Sequence, residues 1–169
     1  MKKNLLTGFL CAAILCALLP TAQAETRVAD PRSTAVSLPN PFISYSTLPD
    51  LKVAAPFAIK SPQLLPTNCR ERYMAMLSNK NLIQIFYSND DQNIVYRMAV
   101  LEEGLDISGD YTNYDKEQTI AVGDKEILVK GKDETIHLAL WNDDRFSYSL
   151  SFSKGISQKL LMDILENIE

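Results

Sequence analysis

The sequence is poor in the residues from which metal sites and catalytic dyads are built. Its 169 residues include one histidine, His137, and three cysteines, two of which lie near the amino terminus. It contains neither a CxxC pair nor a Cys/His group, so the usual zinc sites and a redox-active cysteine pair are excluded. A single histidine also rules out any site with two histidine ligands, and no GxSxG elbow marks a serine nucleophile beside it.

Glycine loops and basic runs are scarce as well. Only six glycines occur and they are scattered, which excludes a glycine-rich loop that cradles phosphate. Lysines and arginines form no run and are not interleaved with aromatic residues, so no nucleic-acid partner is expected. The 17 basic and 21 acidic residues give a net charge of −4. No feature requires a cofactor.

The segment 1–24 has the parts of a secretory signal. Two lysines precede the uncharged apolar run Leu5–Leu19, and Ala22-Gln23-Ala24 follows with small residues where signal peptidase cuts. We therefore expect cleavage before Glu25. The run is shorter than the about 20 residues that a membrane-spanning helix needs, and no longer one follows. The sequence predicts a periplasmic or secreted protein without a transmembrane segment after cleavage.

Cleavage would leave one cysteine, Cys69, and therefore no internal disulfide. Three hypotheses remain for this residue: a disulfide between chains, a thiol activated by the neighbouring Arg70 and Arg72, or a structural cysteine at the start of a strand. Removal of Lys2 and Lys3 with the signal would leave 15 basic and 21 acidic residues, a net charge of −6.

Proline and hydrophobic spacing divide the rest of the chain. Residues 25–45 carry three prolines without periodicity and predict a flexible arm, so the single domain is expected at 46–169. Ser46 or Thr47 is suited to cap a short helix, and the proline-rich stretch 57–66 indicates extended chain.

Seven short segments rich in Ile, Val, Tyr and Phe then predict strands: Tyr73–Leu77, Leu82–Tyr87, Ile94–Val100, Thr119–Val122, Ile127–Lys130, Ile136–Trp141 and Phe146–Phe152. A C-terminal helix follows, because Leu160, Leu161, Ile164, Leu165 and Ile168 form one apolar stripe. The expected fold class is α+β, a meandering antiparallel sheet of about six to seven strands. The C-terminal helix and a short N-terminal helix would pack on one face.

Side-chain alternation assigns faces to two of these strands. In the last strand, Phe146 and Tyr148 share one face with Leu150 and Phe152, and the intervening serines Ser147, Ser149, Ser151 and Ser153 share the other. We expect the serine face to meet water. The same rule predicts that His137 lies on the same side as Ala139 and Trp141.

Several strings resemble one known family. They are Asp106-Ile107-Ser108-Gly109-Asp110-Tyr111, the strand segment Tyr96-Arg97-Met98-Ala99, and Val129-Lys130-Gly131 with Ala139-Leu140-Trp141. Together they resemble a bacterial extracytoplasmic domain family of unknown function over roughly residues 40–169. Its members occur alone behind signal peptides or in membrane proteins that resemble anti-sigma factors. The resemblance implies an envelope location and a non-catalytic role.

The loop 106–117 has the most distinctive polar pattern. Asp106, Ser108, Asp110 and Glu117 provide oxygen atoms at spacings like those of a calcium loop, but Tyr111 stands where such a loop needs glycine. A second hypothesis is that these side chains satisfy the loop's own backbone. A third is that the loop binds a partner through Asp106, Ser108, Asp110, Tyr111 and Tyr114.

Three functions follow from these patterns. The first is a non-catalytic module that binds an envelope protein or component, in a regulatory setting. The alternative is a carrier of a lipid-like ligand, held between the apolar sheet face and a helix. The third is an enzyme of unknown class, which would need polar groups converging on His137. Partner identity and oligomeric state have no signal in the sequence.

Overall fold

A computed structural model describes residues 39–102 and 104–169. The predicted signal peptide, its cleavage site and the arm up to residue 38 lie outside the described residues. The elements are β1 (Phe42–Tyr45), α1 (Leu48–Ala54), β2 (Arg70–Leu77), β3 (Leu82–Ser88), β4 (Asn93–Val100), β5 (Lys116–Val122), β6 (Lys125–Lys132), β7 (Thr135–Asn142), β8 (Phe146–Ile156) and α2 (Gln158–Leu165). In this part of the chain, neither helix has the length and apolar character that crossing a membrane requires.

All eight strands form one antiparallel sheet in the order β1-β2-β3-β4-β8-β7-β6-β5. This confirms the α+β class, the antiparallel sheet and the C-terminal helix. The predicted number of six to seven strands was wrong. The additional strand is β1, which pairs Phe42 with Leu77 and Tyr45 with Met74 at the end of the segment predicted as an arm. Two of its four residues are exposed and two are half-buried, and its sequence shows no apolar-polar alternation that would mark it as a strand.

The main core lies between one face of the sheet and the segments that cover it. Fully buried side chains there include Tyr96 and Leu150 from the sheet and Leu161 and Ile164 from α2. The side chain of Ser157 caps α2 by accepting a hydrogen bond from Leu160 N at 3.3 Å. The predicted apolar stripe thus packs against the sheet.

The segments that precede β2 and follow β8 in the chain close over this core. Helix α1 begins after Thr47, whose side chain accepts a hydrogen bond from Asp50 N, and it buries Leu51 completely. The extended stretch that follows pairs with the C-terminal residues, since Ser61 and Glu169 exchange two backbone hydrogen bonds of 2.7 and 3.2 Å. The described domain is therefore held together by contacts distant in sequence.

The opposite face of the sheet is crossed by the loop between β4 and β5. Strand β4 lies at the middle of the sheet and β5 at its edge, so residues 101–115 must pass over β8, β7 and β6. Ser147 and Ser149 on this face are 3% and 2% exposed. The expectation that the serine face meets water was therefore wrong for these two residues. We refer to residues 101–102 and 104–115 as the crossing loop.

Candidate binding site

Arg97 fixes the crossing loop to the sheet. This half-buried side chain lies in the middle of β4, where Nε donates to Gln84 Oε1 at 2.8 Å. Its Nη1 donates to the backbone oxygens of Ile107 at 3.0 Å and Ser108 at 2.6 Å. Burial lowers the pKa of Arg97, partly offset by the nearby Tyr111 and Asp106. An arginine always retains its charge in this setting, so the carbonyl oxygens serve to stabilise it.

The loop's acidic and hydroxyl side chains hold its own backbone. Asp106 Oδ1 accepts from Ser108 N at 2.8 Å, Ser108 Oγ from Asp110 N at 3.1 Å, and Asp110 Oδ1 from Thr112 N at 2.9 Å. Between them Gly109 has a φ of +61°, which an L-residue rarely adopts. Three consecutive side-chain turns therefore give residues 106–112 one defined shape, as the second sequence hypothesis described.

The calcium hypothesis finds no support in this geometry. Glu117 lies in β5, where Oε2 is 3.2 Å from Lys130 Nζ, while Asp106 and Asp110 are used by the loop backbone. Within residues 39–102 and 104–169, no group of three or more His, Cys, Asp or Glu side chains is arranged to hold a metal ion.

Tyr114 and His137 join the second half of the loop to the sheet. Their ring centroids are 5.9 Å apart, and Tyr114 donates its hydroxyl hydrogen to Asp110 Oδ2 at 2.6 Å. His137 Nδ1 lies 3.1 Å from the carbonyl oxygen of Phe152, which can only accept, so Nδ1 carries a hydrogen. A β-bulge between Ile136 and Leu138 turns the imidazole toward the loop. The predicted position of His137 beside Ala139 and Trp141 was wrong for this reason.

The Tyr114–Asp110 hydrogen bond changes the pKa of both side chains. Burial and the Asp110 carboxylate raise the pKa of Tyr114 to about 12. Burial alone would raise the pKa of Asp110, but hydrogen bonds from Thr112 and Tyr114 outweigh it and lower the pKa. The bond therefore favours a neutral phenol and an ionised carboxylate at neutral pH.

Tyr114→Phe is expected to reduce the free energy of unfolding by about 1.5 kcal/mol, the lower end for a hydrogen bond to a charged group, because it removes the bond to the half-buried Asp110 carboxylate and keeps the ring. The pKa of Tyr114 is raised above 10.0 to about 12. The extra free energy of unfolding of the wild type over the variant should therefore be complete below pH 10 and fall as the pH rises through 12. Urea unfolding at pH 7 and at pH 11 measures both effects. An unchanged stability at pH 7 would contradict the assignment.

The predicted site residues differ strongly in exposure. Tyr111 is 97% exposed, and Leu105, nearer the start of the loop, is 51% exposed. Ser108 is buried, whereas Asp110 and Tyr114 are half-buried. The structure brings Asp110 and Tyr114 together, but it places Tyr111 on the surface without a buried face. Of the proposed contact residues, Tyr111 is thus the one most accessible to a partner.

Two clefts flank the crossing loop. The first, of about 520 Å³, is lined by Tyr114, His137, Asp110, Lys132 and Ser151 among others, and we call it the His137 cleft. The second, of about 730 Å³, lies along Leu105, Leu128 and Leu140, and we call it the leucine groove. Both depressions exist because the loop stands above the sheet and does not cover all of it.

Asp143 organises the turn beside the leucine groove. Oδ1 accepts from Arg145 N at 3.0 Å and Phe146 N at 2.9 Å, while Oδ2 accepts from Tyr148 Oη at 2.6 Å and Lys60 Nζ at 3.2 Å. Partial burial by itself would raise the pKa of Asp143, but these hydrogen bonds outweigh it and lower the pKa to about 2. Asp143 therefore fixes the β7–β8 turn and also holds Lys60 from the covering segment.

Cys69 has no activating environment. It is half-buried against the core, and burial raises the pKa of its thiol, the opposite of what a reactive thiolate needs. Arg70 and Arg72 therefore do not activate it. The structural role proposed from the sequence fits this position.

Sequence reasoning missed Arg97, Leu105 and the leucine groove as parts of the site. An arginine between apolar residues in a strand was a usable signal, because a buried guanidinium needs acceptors that only another segment can provide. The groove had no such signal, since Leu128 and Leu140 have the same pattern as core leucines. Their partial exposure depends on where the loop crosses.

Comparison with known proteins places most of these elements in one family. A family model matches residues 59–168, and it is described as a domain of unknown function (DUF4367). A search of curated proteins and a search of solved structures find no match. The matched range includes Arg97, the crossing loop and both clefts, whereas β1 and α1 precede it.

Proposed function

We propose that this chain, which belongs to the family described as a domain of unknown function (DUF4367), is an exported, non-catalytic binding module. The partner is a protein or another component of the cell envelope. The binding face is the side of the sheet that carries the crossing loop.

One observation carries this proposal: a loop held in a single shape presents two apolar side chains to solvent. Arg97 and three side-chain turns fix the loop backbone, and yet Tyr111 is 97% and Leu105 51% exposed. Because the backbone that carries Tyr111 is already fixed, a partner would not have to order it on contact, which favours binding. Loops on a rigid sheet are also where binding residues usually lie.

The other face is less suited to a ligand. Between α2 and the sheet, side chains such as Ile164, Leu150 and Tyr96 fill the space and are completely buried. A lipid-like ligand would have to displace this packing. The carrier hypothesis stays a prediction, and the loop face is the better candidate.

A photo-crosslinking phenylalanine analogue at position 111 tests the proposal in cells that make the protein. Val53, in α1, is 88% exposed and serves as the matched control position. We expect a discrete crosslinked product from position 111 and none of that size from position 53. Leu105→Ser should reduce the yield about fivefold, because an interface side chain at the centre of a contact contributes more than about 1 kcal/mol.

Equal products from both positions, or none from position 111, would contradict the proposed binding face. Copurification of a lipid without any crosslink would favour the carrier hypothesis instead. Mass spectrometry of the crosslinked product identifies the partner, and sequencing the amino terminus of the recovered protein checks cleavage before Glu25.

A further inference from the structure

The leucine groove combines an apolar floor with a predominantly acidic rim. Leu128 and Leu140 are directly paired across β6 and β7 and are only half-buried. Leu105, which is 51% exposed, forms one wall of the groove. The depression has a volume of about 730 Å³. Apolar side chains left partly open in such a depression gain free energy when another apolar group covers them.

The rim is acidic. Four exposed carboxylates line it, and within residues 39–102 and 104–169 none of them forms an ion pair with a lysine or arginine: Glu102, Asp124, Glu126 and Asp144. Lys125 is the basic residue of this lining. Asp106 and Asp143 also border the groove, but Asp106 Oδ1 and both oxygens of Asp143 are engaged in the hydrogen bonds described above. The free carboxylates therefore attract a cation from outside the molecule.

We propose that the leucine groove binds a cationic amphipathic peptide segment, with apolar side chains on Leu128 and Leu140 and lysine or arginine side chains on the rim. Charge complementarity selects this occupant: an acidic peptide would be repelled by the rim, and a purely polar cation would leave the leucines uncovered. The inference rests on the proposed function, because the groove lies on the loop face. It adds the chemistry of the partner and the place where the partner lies.

The readout is the fluorescence anisotropy of a dye attached to the peptide, because the one tryptophan, Trp141, is 5% exposed and packs in the main core. The probe is a short capped peptide that repeats Lys-Leu-Ser, titrated with the full domain at low salt. Two further peptides repeat Glu-Leu-Ser and Lys-Ser-Ser. We expect a saturable rise in anisotropy with the first peptide and none with the others.

Charge variants locate the binding. Asp124→Asn with Glu126→Gln removes two rim charges at exposed positions and should weaken binding of the first peptide about fivefold, since each exposed ion pair contributes about 0.5 kcal/mol. Asp90→Asn with Glu166→Gln removes the same amount of charge elsewhere on the surface. Its affinity for the first peptide should stay within about twofold of the wild-type value. Circular dichroism checks that both variants remain folded.

Three results would overturn the inference: no saturable binding of the Lys-Leu-Ser peptide, equal binding of the Glu-Leu-Ser or Lys-Ser-Ser peptide, or equal weakening by the two charge variants. Each can occur while position 111 still crosslinks to a partner, in which case the proposed function stands and the groove assignment fails. If position 111 gives no product and the peptide still binds at the rim, the proposed face fails at the loop and the groove assignment stands.

Discussion

Gly109→Ala is expected to lower the free energy of unfolding by about 3 kcal/mol, of which about 1 kcal/mol comes from the left-handed backbone alone. The rest arises because a methyl group at this position would collide with Nη1 of Arg97. The guanidinium would have to move and lose its bonds to the oxygens of Ile107 and Ser108. Hydrogen bonds from charged donors contribute about 1.5–3 kcal/mol each, so their partial loss accounts for the larger share.

Gly123 offers a matched control for the backbone contribution. Its φ of +62° is close to the +61° of Gly109, but an added methyl group there would have no atom within 4 Å. Gly123→Ala should therefore cost only about 1 kcal/mol. In an Arg97→Ala background, the effect of Gly109→Ala should fall to the same value, because the colliding group is gone. Urea unfolding of the four variants measures the coupling, and additive effects would contradict the role of Arg97 in holding the crossing loop.

Asp143→Ala is the second change with a large expected effect, about 3 kcal/mol of lost stability. It leaves the hydroxyl of Tyr148 and two backbone N–H groups without their acceptor, and unsatisfied groups cost about 1–3 kcal/mol each when buried. Tyr148 is 3% exposed, so its hydroxyl cannot easily turn to water. Asp143→Asn should cost less, because its amide oxygen can still accept from Arg145 N and Phe146 N.

Acid should reproduce part of this loss in the wild-type protein. The pKa of Asp143 is lowered from 3.8 to about 2, so its contribution is complete above about pH 5 and disappears as the pH falls through 2. The size is about 2 kcal/mol, at about 1.4 kcal/mol for each pKa unit. Thermal unfolding between pH 6 and pH 2 measures it. If Asp143→Asn loses stability in acid as steeply as the wild type, another carboxylate is responsible.

Local patterns were enough to predict most of the sheet. Seven of the eight strands were visible because alternation and β-branched residues are properties of a few neighbouring residues, and the stripe of α2 is equally local. Strand β1 lacked this signal, since both of its central residues, Ile43 and Ser44, are exposed. It is a strand because it pairs with β2, and the sequence of four residues does not indicate which strand they pair with.

The candidate site was less predictable because it depends on one long connection. The side-chain turns of Asp106, Ser108 and Asp110 are local and could be proposed from their spacing. Burial of Ser147 and Ser149 could not, since it requires knowing that β5 lies at the far edge of the sheet. The same holds for the bulge at His137, which reverses the direction that simple alternation assigns.

Complete burial of Leu51 has a practical consequence for recombinant work. The family match begins at residue 59, so a fragment cut at that boundary would lack α1 and β1. Such a fragment would lose a leucine that is 0% exposed, leaving a hole in the core and a newly uncovered edge on β2. Fragments meant for crystallisation or binding assays should therefore start upstream of Phe42, because the physical domain is longer than its family signature.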